Sequence, residues 1–202
     1  MNSSNPYFDK NEEILQRMGH LPHWNQTQKL YAVTFRLCDS LPKNVIEAFM
    51  QESILKFSNN SADFQTKREA YFYKKMMDYM DAGYGKCILK DKAVRKIVEQ
   101  GFEYMNNTSA CMHAYVVMPN HVHAVIETKC NEDLHDIIRN FKRYTACQIN
   151  HLLNRKGHVW QSEYYDRIIR NYRHYENAIN YIIHNPCHCA STDYTLWLNP
   201  NI

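Results

Sequence analysis

Alternating hydrophobic and polar positions predict the strands of this chain. Period-two patterns with β-branched and aromatic residues occur in KLYAVTFRL (Lys29–Leu37), SACMHAYVVM (Ser109–Met118) and HVHAVIE (His121–Glu127). Because only the dipeptide PN separates the last two, we expect them to form a hairpin. A fourth segment, HVWQSEYYDRIIRN, is predicted to be extended and at least partly a strand.

Apolar residues at helical spacing predict five helices around these strands. They run from Pro42 to about Phe57, from about Ala62 to Met80, through KDKAVRKIVEQGFEYMNN, through NEDLHDIIRNFKRYTACQINHLLNRKG and through RHYENAINYIIHNP, which must end before Pro186. The order is strand, helices, hairpin, helix, strand, helix. This order indicates an α+β fold, with a small antiparallel sheet and helices packed on its faces.

Length and composition are those of one soluble globular domain. The 202 residues are 45% hydrophobic and 22% charged, and no apolar run approaches the ~20 residues of a membrane span. The N-terminus has no signal-peptide core, and the seven scattered cysteines form no C-x-x-C pair. We therefore expect one cytoplasmic domain over 1–202, with an N-terminal arm over about 1–28 and a short tail over 187–202.

Positive charge is concentrated in one part of the chain. Between Leu134 and Glu176 there are eight Lys and Arg but four Asp and Glu, whereas the whole chain has a net charge of +3. The same segment is rich in aromatic residues, and a basic surface with aromatic side chains suits phosphates and unstacked bases. A solvated basic face without a ligand explains the charge equally well.

Two histidines, His121 and His123, lie in the returning strand of the hairpin. Side chains alternate along a strand, so both imidazoles point to one face with Cα atoms ~6.7 Å apart, close enough to bind one metal ion. By itself the His-x-His pattern is weak, and two polar residues on a half-solvated face explain it as well. Glu127 shares the face but lies ~13 Å beyond His123, which makes it a poor third ligand.

The last predicted helix offers further candidates. Tyr181 and Asn185 are four residues apart and share one helical face, and the amide oxygen of Asn185 at the helix end can turn towards an ion. A tyrosine beside a divalent cation that polarises a phosphate is a candidate nucleophile. With fifteen tyrosines in the chain, packing explains Tyr181 equally well. A zinc site in IIHNPCHCA is disfavoured, because its spacings match no common zinc site.

Several motifs, in one order, resemble a known family. HAYVVMPNHVHAVIE, FKRYTACQINHLL, GHVWQSEYYDRIIRN and AINYIIHNP are similar to the REP-associated tyrosine transposases of the HUH single-tyrosine, IS200-like superfamily. The upstream pieces HWNQTQKLYAVTFRLCDSLP and DAGYGKCIL look like the same family, so the resemblance covers roughly Gly19 to Asn185. It implies a ferredoxin-like HUH fold, with both histidines on a central strand of an antiparallel sheet.

The resemblance also implies a reaction. The family cleaves single-stranded DNA at hairpins or imperfect palindromes through a tyrosine that stays attached to the 5′ phosphate, and the strand can be rejoined elsewhere. By this resemblance Tyr181 is the nucleophile, His121 and His123 are metal ligands, and Asn185 is the third ligand. The implied ion is Mg²⁺ or Mn²⁺, with Mn²⁺ better suited to imidazole. Because this shell has no carboxylate, we expect modest metal affinity.

The predicted partner is single-stranded or hairpin DNA, bound by a monomer or a homodimer that associates with the nucleoid. DNA contacts are predicted at Arg36, Lys142, Arg143, Tyr144, Trp160, Arg167 and Arg170. For Trp160 a core role is favoured over base stacking. Two other functions stay open: a DNA-binding regulator of the same fold that no longer cleaves, and a metal-dependent nuclease that uses water.

Overall fold

The computed structural model describes residues 5–18, 22–57 and 64–201, so the predicted helix start near Ala62 lies outside the described residues. The strands are β1 (Leu15–Met18), β2 (Pro22–Asn25), β3 (Leu30–Arg36), β4 (Ala110–Val117), β5 (His121–Thr128), β6 (Tyr165–Ile168) and β7 (Thr195–Leu198). The α-helices are α1 (Lys43–Lys56), α2 (Phe64–Asp81), α3 (Lys92–Thr108), α4 (Leu134–Leu152) and α5 (Tyr172–His184). Short 3₁₀ turns occupy Ile88–Lys90 and Asn185–His188.

Five strands form an antiparallel sheet in the order β6-β3-β5-β4-β7. Apart from the edge strand β7, the separate β1–β2 hairpin and the helices α1, α2 and α5, the described elements follow the β-α-β-β-α-β order of a ferredoxin-like fold. The histidine strand β5 lies in the middle, between β3 and β4. The predicted α+β fold, with its histidines on a central strand, is therefore confirmed.

The two faces of the sheet pack against different helices. Val122, Ala124 and Ile126 of β5 join a large core with residues of α3 and α4, such as Phe102 and Phe141. On the opposite face, side chains of β4 and β5 pack against α5. Strand alternation puts His121 and His123 on this second face, so α5 covers the histidines. None of the helices that the structure describes has the length and apolar content needed to cross a membrane.

The end of α2 is tied to the turn of the β4–β5 hairpin. The amide nitrogen of Asn120, in the turn, donates to the carbonyl of Met80 at 3.0 Å and to that of Tyr84 at 2.9 Å. Gly83 closes the helix with φ +76°, and its N–H donates to the carbonyl of Met80 at 2.9 Å. This connection fixes Asp81, the last residue of α2, beside the first residue of β5.

Both chain ends contribute structure that the hydrophobic pattern does not predict. The C-terminal tail forms β7, which pairs with β4 and stacks Trp197 on Tyr115 with ring centroids 5.3 Å apart. Near the N-terminus, His23 on β2 pairs with Asp166 on β6, and this contact raises the pKa of His23. Both additions brace the edges of the sheet rather than the histidine strand.

Candidate active site

The two histidines are buried and oriented through their Nδ1 atoms. His121 Nδ1 lies 2.7 Å from Oδ1 of Asn120, and His123 Nδ1 lies 2.7 Å from Oγ1 of Thr34. Because the amide nitrogen of Asn120 is held by two backbone carbonyls, its oxygen accepts the Nδ1 proton of His121. The lone pair of neutral His121 is therefore on Nε2. A hydrogen bond to one ring nitrogen is the usual way to orient a metal-binding histidine.

Burial keeps both imidazoles neutral at physiological pH. It lowers the pKa of His121 to about 3, a shift that the neighbouring Asn185 side chain partly opposes. Burial also lowers the pKa of His123 well below its ordinary value, and the nearby His121 adds to this effect. Neutral imidazole is the form that binds metal ions, so both side chains are prepared as ligands.

Three polar atoms in this site are buried without a hydrogen-bond partner: Nε2 of His121, Nε2 of His123 and Oδ1 of Asn185. Two further such atoms, in His135 and Asn150, lie elsewhere among the described residues. Leaving a buried polar atom unpaired costs about 1–3 kcal/mol, so three together need an explanation. His121 Nε2 and Asn185 Oδ1 have lone pairs, and His123 Nε2 has one when its Nδ1 donates to Thr34. The three atoms belong to the three residues predicted as metal ligands. A divalent cation would satisfy them.

Tyr181 lies directly over this group. Its ring centroid is 4.9 Å from that of His123 with an interplanar angle of 85°, and 39% of the residue is exposed. The amide nitrogen of Asn185 donates to the Tyr181 hydroxyl at 3.3 Å. Burial of the hydroxyl end raises the pKa of Tyr181, the electrostatic influence of Tyr73 and Asp81 raises it further, and the Asn185 hydrogen bond lowers it. At neutral pH the phenol is therefore protonated.

The structure adds Asp81, for which no role was predicted. Its Oδ1 lies 3.5 Å from Nε2 of His121 and accepts a hydrogen bond from Nδ2 of Asn185 at 3.4 Å. Asp81 is therefore a carboxylate beside the predicted ligands, which the sequence did not indicate. In the sequence Asp81 opens the DAGYGKCIL motif, but the helical pattern gave no indication that α2 ends beside β5.

Arg36 also belongs to this face of the sheet. It pairs in register with His121 across β3 and β5 and is 9% exposed. Its guanidinium donates to the carbonyl of Leu41 at 3.5 Å, and burial lowers its pKa to about 10, so it is still charged at neutral pH. A buried cation here attracts phosphate.

The predicted DNA contacts on α4 lie near a basic cavity. This cavity of about 350 Å³ lies between α4 and the segment 157–164, and Lys142, Arg143 and Trp160 line it together with Arg139. Lys142 Nζ donates to the carbonyl of Ser162 at 2.8 Å, and burial lowers the pKa of Lys142 to about 8. The charge of Arg36 also lowers this pKa.

The other predicted DNA contacts have different surroundings. Trp160 is 5% exposed, and its indole nitrogen donates to Oγ1 of Thr145 at 2.8 Å, as expected for a core residue. Tyr144 is exposed on α4. Arg167, on the edge strand β6, and Arg170, just after it, are both exposed. The seven residues therefore do not form one patch: some lie along α4 and the cavity, others at the β6 edge.

A second group with metal-type ligands lies on the same sheet face, under the other end of α5. The ligand atoms of Cys111, His113 and Glu127 all lie within 4.8 Å of one another. Glu127 thus sits near His113 and not at the His121–His123 pair. His113 Nδ1 is 3.0 Å from the Tyr175 hydroxyl, and its Nε2 is 3.2 Å from Oε2 of Glu127. Both nitrogens of His113 therefore have partners.

The chain is similar to a known family and to a solved structure. Among solved structures, the chain is similar to a REP-associated tyrosine transposase bound to a REP hairpin, with 15% identity and a TM-score of 0.48 over 85% of this chain and 74% of that chain. Among curated proteins, no sequence matches this chain significantly. The family described as "Transposase IS200 like" matches residues 82–185, more than half of the chain. The match contains the histidine strand and α5 but begins one residue after Asp81.

The family match and the site agree with each other. The matched range runs through His121 and His123 and ends at Asn185, so it contains the three buried atoms without partners and the tyrosine above them. The family generally uses a divalent metal ion, which is what these atoms can bind. The chain belongs to the IS200-like transposase family.

Proposed function

We propose that this transposase cleaves and rejoins single-stranded DNA at hairpin or palindromic sequences, with Tyr181 as the nucleophile. The observation that carries this proposal is the position of Tyr181 over three buried, unpartnered ligand atoms. A phosphate bound at those atoms would lie next to the phenol.

The residues fit a Mg²⁺ or Mn²⁺ ion. His121, His123 and Asn185 provide two neutral imidazoles and an amide oxygen, which leaves positions for phosphate oxygens in an incomplete shell. When bound, the ion would act as a Lewis acid on the scissile phosphate. Mn²⁺ suits the imidazoles better than Mg²⁺ does.

In the proposed reaction the Tyr181 oxygen attacks phosphorus, and the bond from phosphorus to the 3′ oxygen breaks. The phenol loses its proton, the departing 3′ oxygen gains one, and the 5′ phosphate stays on Tyr181. Since the pKa of Tyr181 is raised, its proton must leave during the attack. Asn185 Nδ2 donates to the phenolic oxygen and stabilises the developing negative charge. Attack of a 3′-OH on the phosphotyrosine rejoins the strand without an external energy source.

We assign the DNA contacts by position. Arg36, on the face of the histidines, contacts the scissile region, and Lys142 and Arg143 bind backbone phosphates at the cavity on α4. The exposed Tyr144 stacks on an unpaired base. Arg167 and Arg170 contact the strand along the β6 edge. Trp160 contributes as a buried wall of the cavity.

The test is covalent capture. Incubation with Mn²⁺ and end-labelled hairpin oligonucleotides is expected to give a protein–DNA band that survives denaturation, and Tyr181→Phe is expected to abolish it. Tyr172→Phe, a matched change of an exposed tyrosine at the other end of α5, is expected to keep the band. Size-exclusion chromatography of the same samples distinguishes monomer from homodimer.

Three outcomes would contradict the proposal. Multiple-turnover cleavage with no adduct would identify a nuclease that uses water. DNA binding with neither cleavage nor adduct would identify a regulator that keeps the fold. An adduct that persists in Tyr181→Phe would assign the nucleophile to another residue.

A further inference from the structure

Asp81 is held at the metal-binding side of the site by a short chain of hydrogen bonds. Asn120 donates to the backbone of Met80 and Tyr84 on either side of Asp81, and its oxygen accepts from His121. The same turn residue therefore orients the histidine and anchors the end of α2. The position of Asp81 is therefore fixed relative to the β4–β5 hairpin.

The Asp81 carboxylate lies close to the unpartnered nitrogen of His121, one of the proposed metal ligands, and it accepts a hydrogen bond from the amide nitrogen of Asn185. With metal–oxygen bonds of about 2.1 Å, neighbouring ligand atoms of an octahedral ion lie about 3.0 Å apart. Asp81 Oδ1 is 3.5 Å from Nε2 of His121, an atom with no hydrogen-bond partner, and 3.4 Å from Nδ2 of Asn185. With 36% of its side chain exposed, Asp81 is also accessible from solvent.

Without DNA, an anionic side chain would balance the charge of a bound ion. The three predicted ligands are neutral, and the cation of Arg36 lies opposite His121 on the same sheet face. Mg²⁺ and Mn²⁺ both bind carboxylate oxygens well, and Mg²⁺ is rarely held without one. Asp81 is the carboxylate that the structure brings closest to His121 among the contacts of the described residues.

We propose that Asp81 is a fourth ligand of the metal centre and provides its negative charge. This inference rests on the proposed function, since it concerns the same metal site. It changes the expected properties of that site: affinity is higher than two imidazoles and an amide would give, and Mg²⁺ competes effectively with Mn²⁺. A purely positioning role, in which Asp81 only accepts the hydrogen bond of Asn185, is the competing explanation.

Asp81→Asn separates the two roles. The variant keeps an oxygen that can accept from Asn185 Nδ2 but loses the charge. Asp78→Asn is the matched control, because it removes the same charge from an exposed residue one turn earlier on α2. His121→Ala tests the metal site itself. Circular dichroism confirms that each full-length variant is folded.

The measurement is the Mn²⁺ dissociation constant without DNA, by electron paramagnetic resonance titration, with Mg²⁺ competition. Asp81→Asn is expected to weaken Mn²⁺ binding about tenfold or more and Mg²⁺ binding further, since Mg²⁺ depends more on carboxylate oxygen. Asp78→Asn is expected to change the Mn²⁺ dissociation constant less than about threefold, because solvent screens the charge of Asp78. Adduct formation by Asp81→Asn should recover as Mn²⁺ is raised.

Three results would overturn the inference. If the Mn²⁺ affinity of Asp81→Asn is within about twofold of wild type while His121→Ala still binds weakly, Asp81 has only a positioning role. The proposed function would then still hold. Equal losses in Asp78→Asn and Asp81→Asn would show an effect of charge without ligation. Unchanged binding in His121→Ala as well would remove the metal centre itself, and with it the proposed function.

Discussion

Two histidine groups lie on the same sheet face under opposite ends of α5, and they differ in how their nitrogens are satisfied. By distance alone the Cys111–His113–Glu127 group is the better metal site, since its three ligand atoms lie within 4.8 Å. Yet both nitrogens of His113 already have partners, in Tyr175 and Glu127. At the other end of α5, His121 and His123 each have one unpartnered nitrogen.

The difference predicts that an ion is better accommodated at the His121–His123 pair, where lone pairs are unsatisfied, than at the Cys111–His113–Glu127 group. An ion at His121 and His123 would add interactions without breaking any, because their Nδ1 atoms are held by other residues. An ion at His113 would have to replace the contact with Glu127. The backbone differs too: His113 lies at a bulge in β4, whereas the active-site pair follows regular alternation in β5.

The largest expected effect is the loss of Mn²⁺ binding when His121 is replaced. His121→Ala is expected to weaken Mn²⁺ binding at least about 100-fold, because it removes a direct ligand. His113→Ala, a matched change under the other end of α5, is expected to leave the affinity within about twofold. Isothermal titration calorimetry measures both. A comparable loss in His113→Ala would mean that the Cys111 group binds the ion.

A second effect concerns stability in acid without metal. The pKa of His121 is about 3 in the folded protein and near 6.5 when unfolded. The unfolded state therefore binds more protons below pH 6.5, so the stability that neutral His121 contributes is present above pH 6.5 and is lost towards pH 3. From pH 7 to pH 5 we expect a loss of about 2 kcal/mol from this residue.

Urea unfolding in EDTA at both pH values tests this expectation. His121→Asn should lose less stability between pH 7 and pH 5 than wild type, because it lacks the buried imidazole whose pKa is lowered. His23, whose pKa is raised, contributes in the opposite direction, but it does so in every variant and cancels in the comparison. Equal pH dependence in wild type and His121→Asn would contradict the assigned burial effect.

The smallest expected effect concerns the group around His113. Tyr175→Phe removes the hydroxyl that contacts His113 Nδ1 and is expected to reduce the free energy of unfolding by about 1 kcal/mol. Adduct formation should not change, since Tyr175 lies away from the active-site pair. Denaturant titration and the adduct assay measure the two quantities. A lost adduct with normal stability would connect the second group to catalysis.

Sequence periodicity predicts much of how the candidate site residues are placed. Alternation in HVHAVIE puts His121 and His123 on one face, and the four-residue spacing of Tyr181 and Asn185 puts both at the end of one helix. Pro186 correctly indicated where α5 ends. These are local properties, and local sequence determines them.

What depends on tertiary packing could not be predicted. Asp81 reaches His121 only because Asn120 holds the end of α2, and Cys111 meets Glu127 only in the observed register of β4 and β5. The tail sequence gives no indication of its partner strand, yet it forms β7 on the edge of the sheet. Contacts between distant segments decide which charges surround the metal site.

The most direct test of the account is the site of covalent attachment. After reaction with a hairpin oligonucleotide and Mn²⁺, nuclease trimming and tandem mass spectrometry would locate the nucleotide within the C-terminal proteolytic peptide, which contains several tyrosines. We predict a 5′-linked phosphodiester on Tyr181. Attachment to Tyr175 or Tyr194, or cleaved DNA with no modified peptide, would contradict the account.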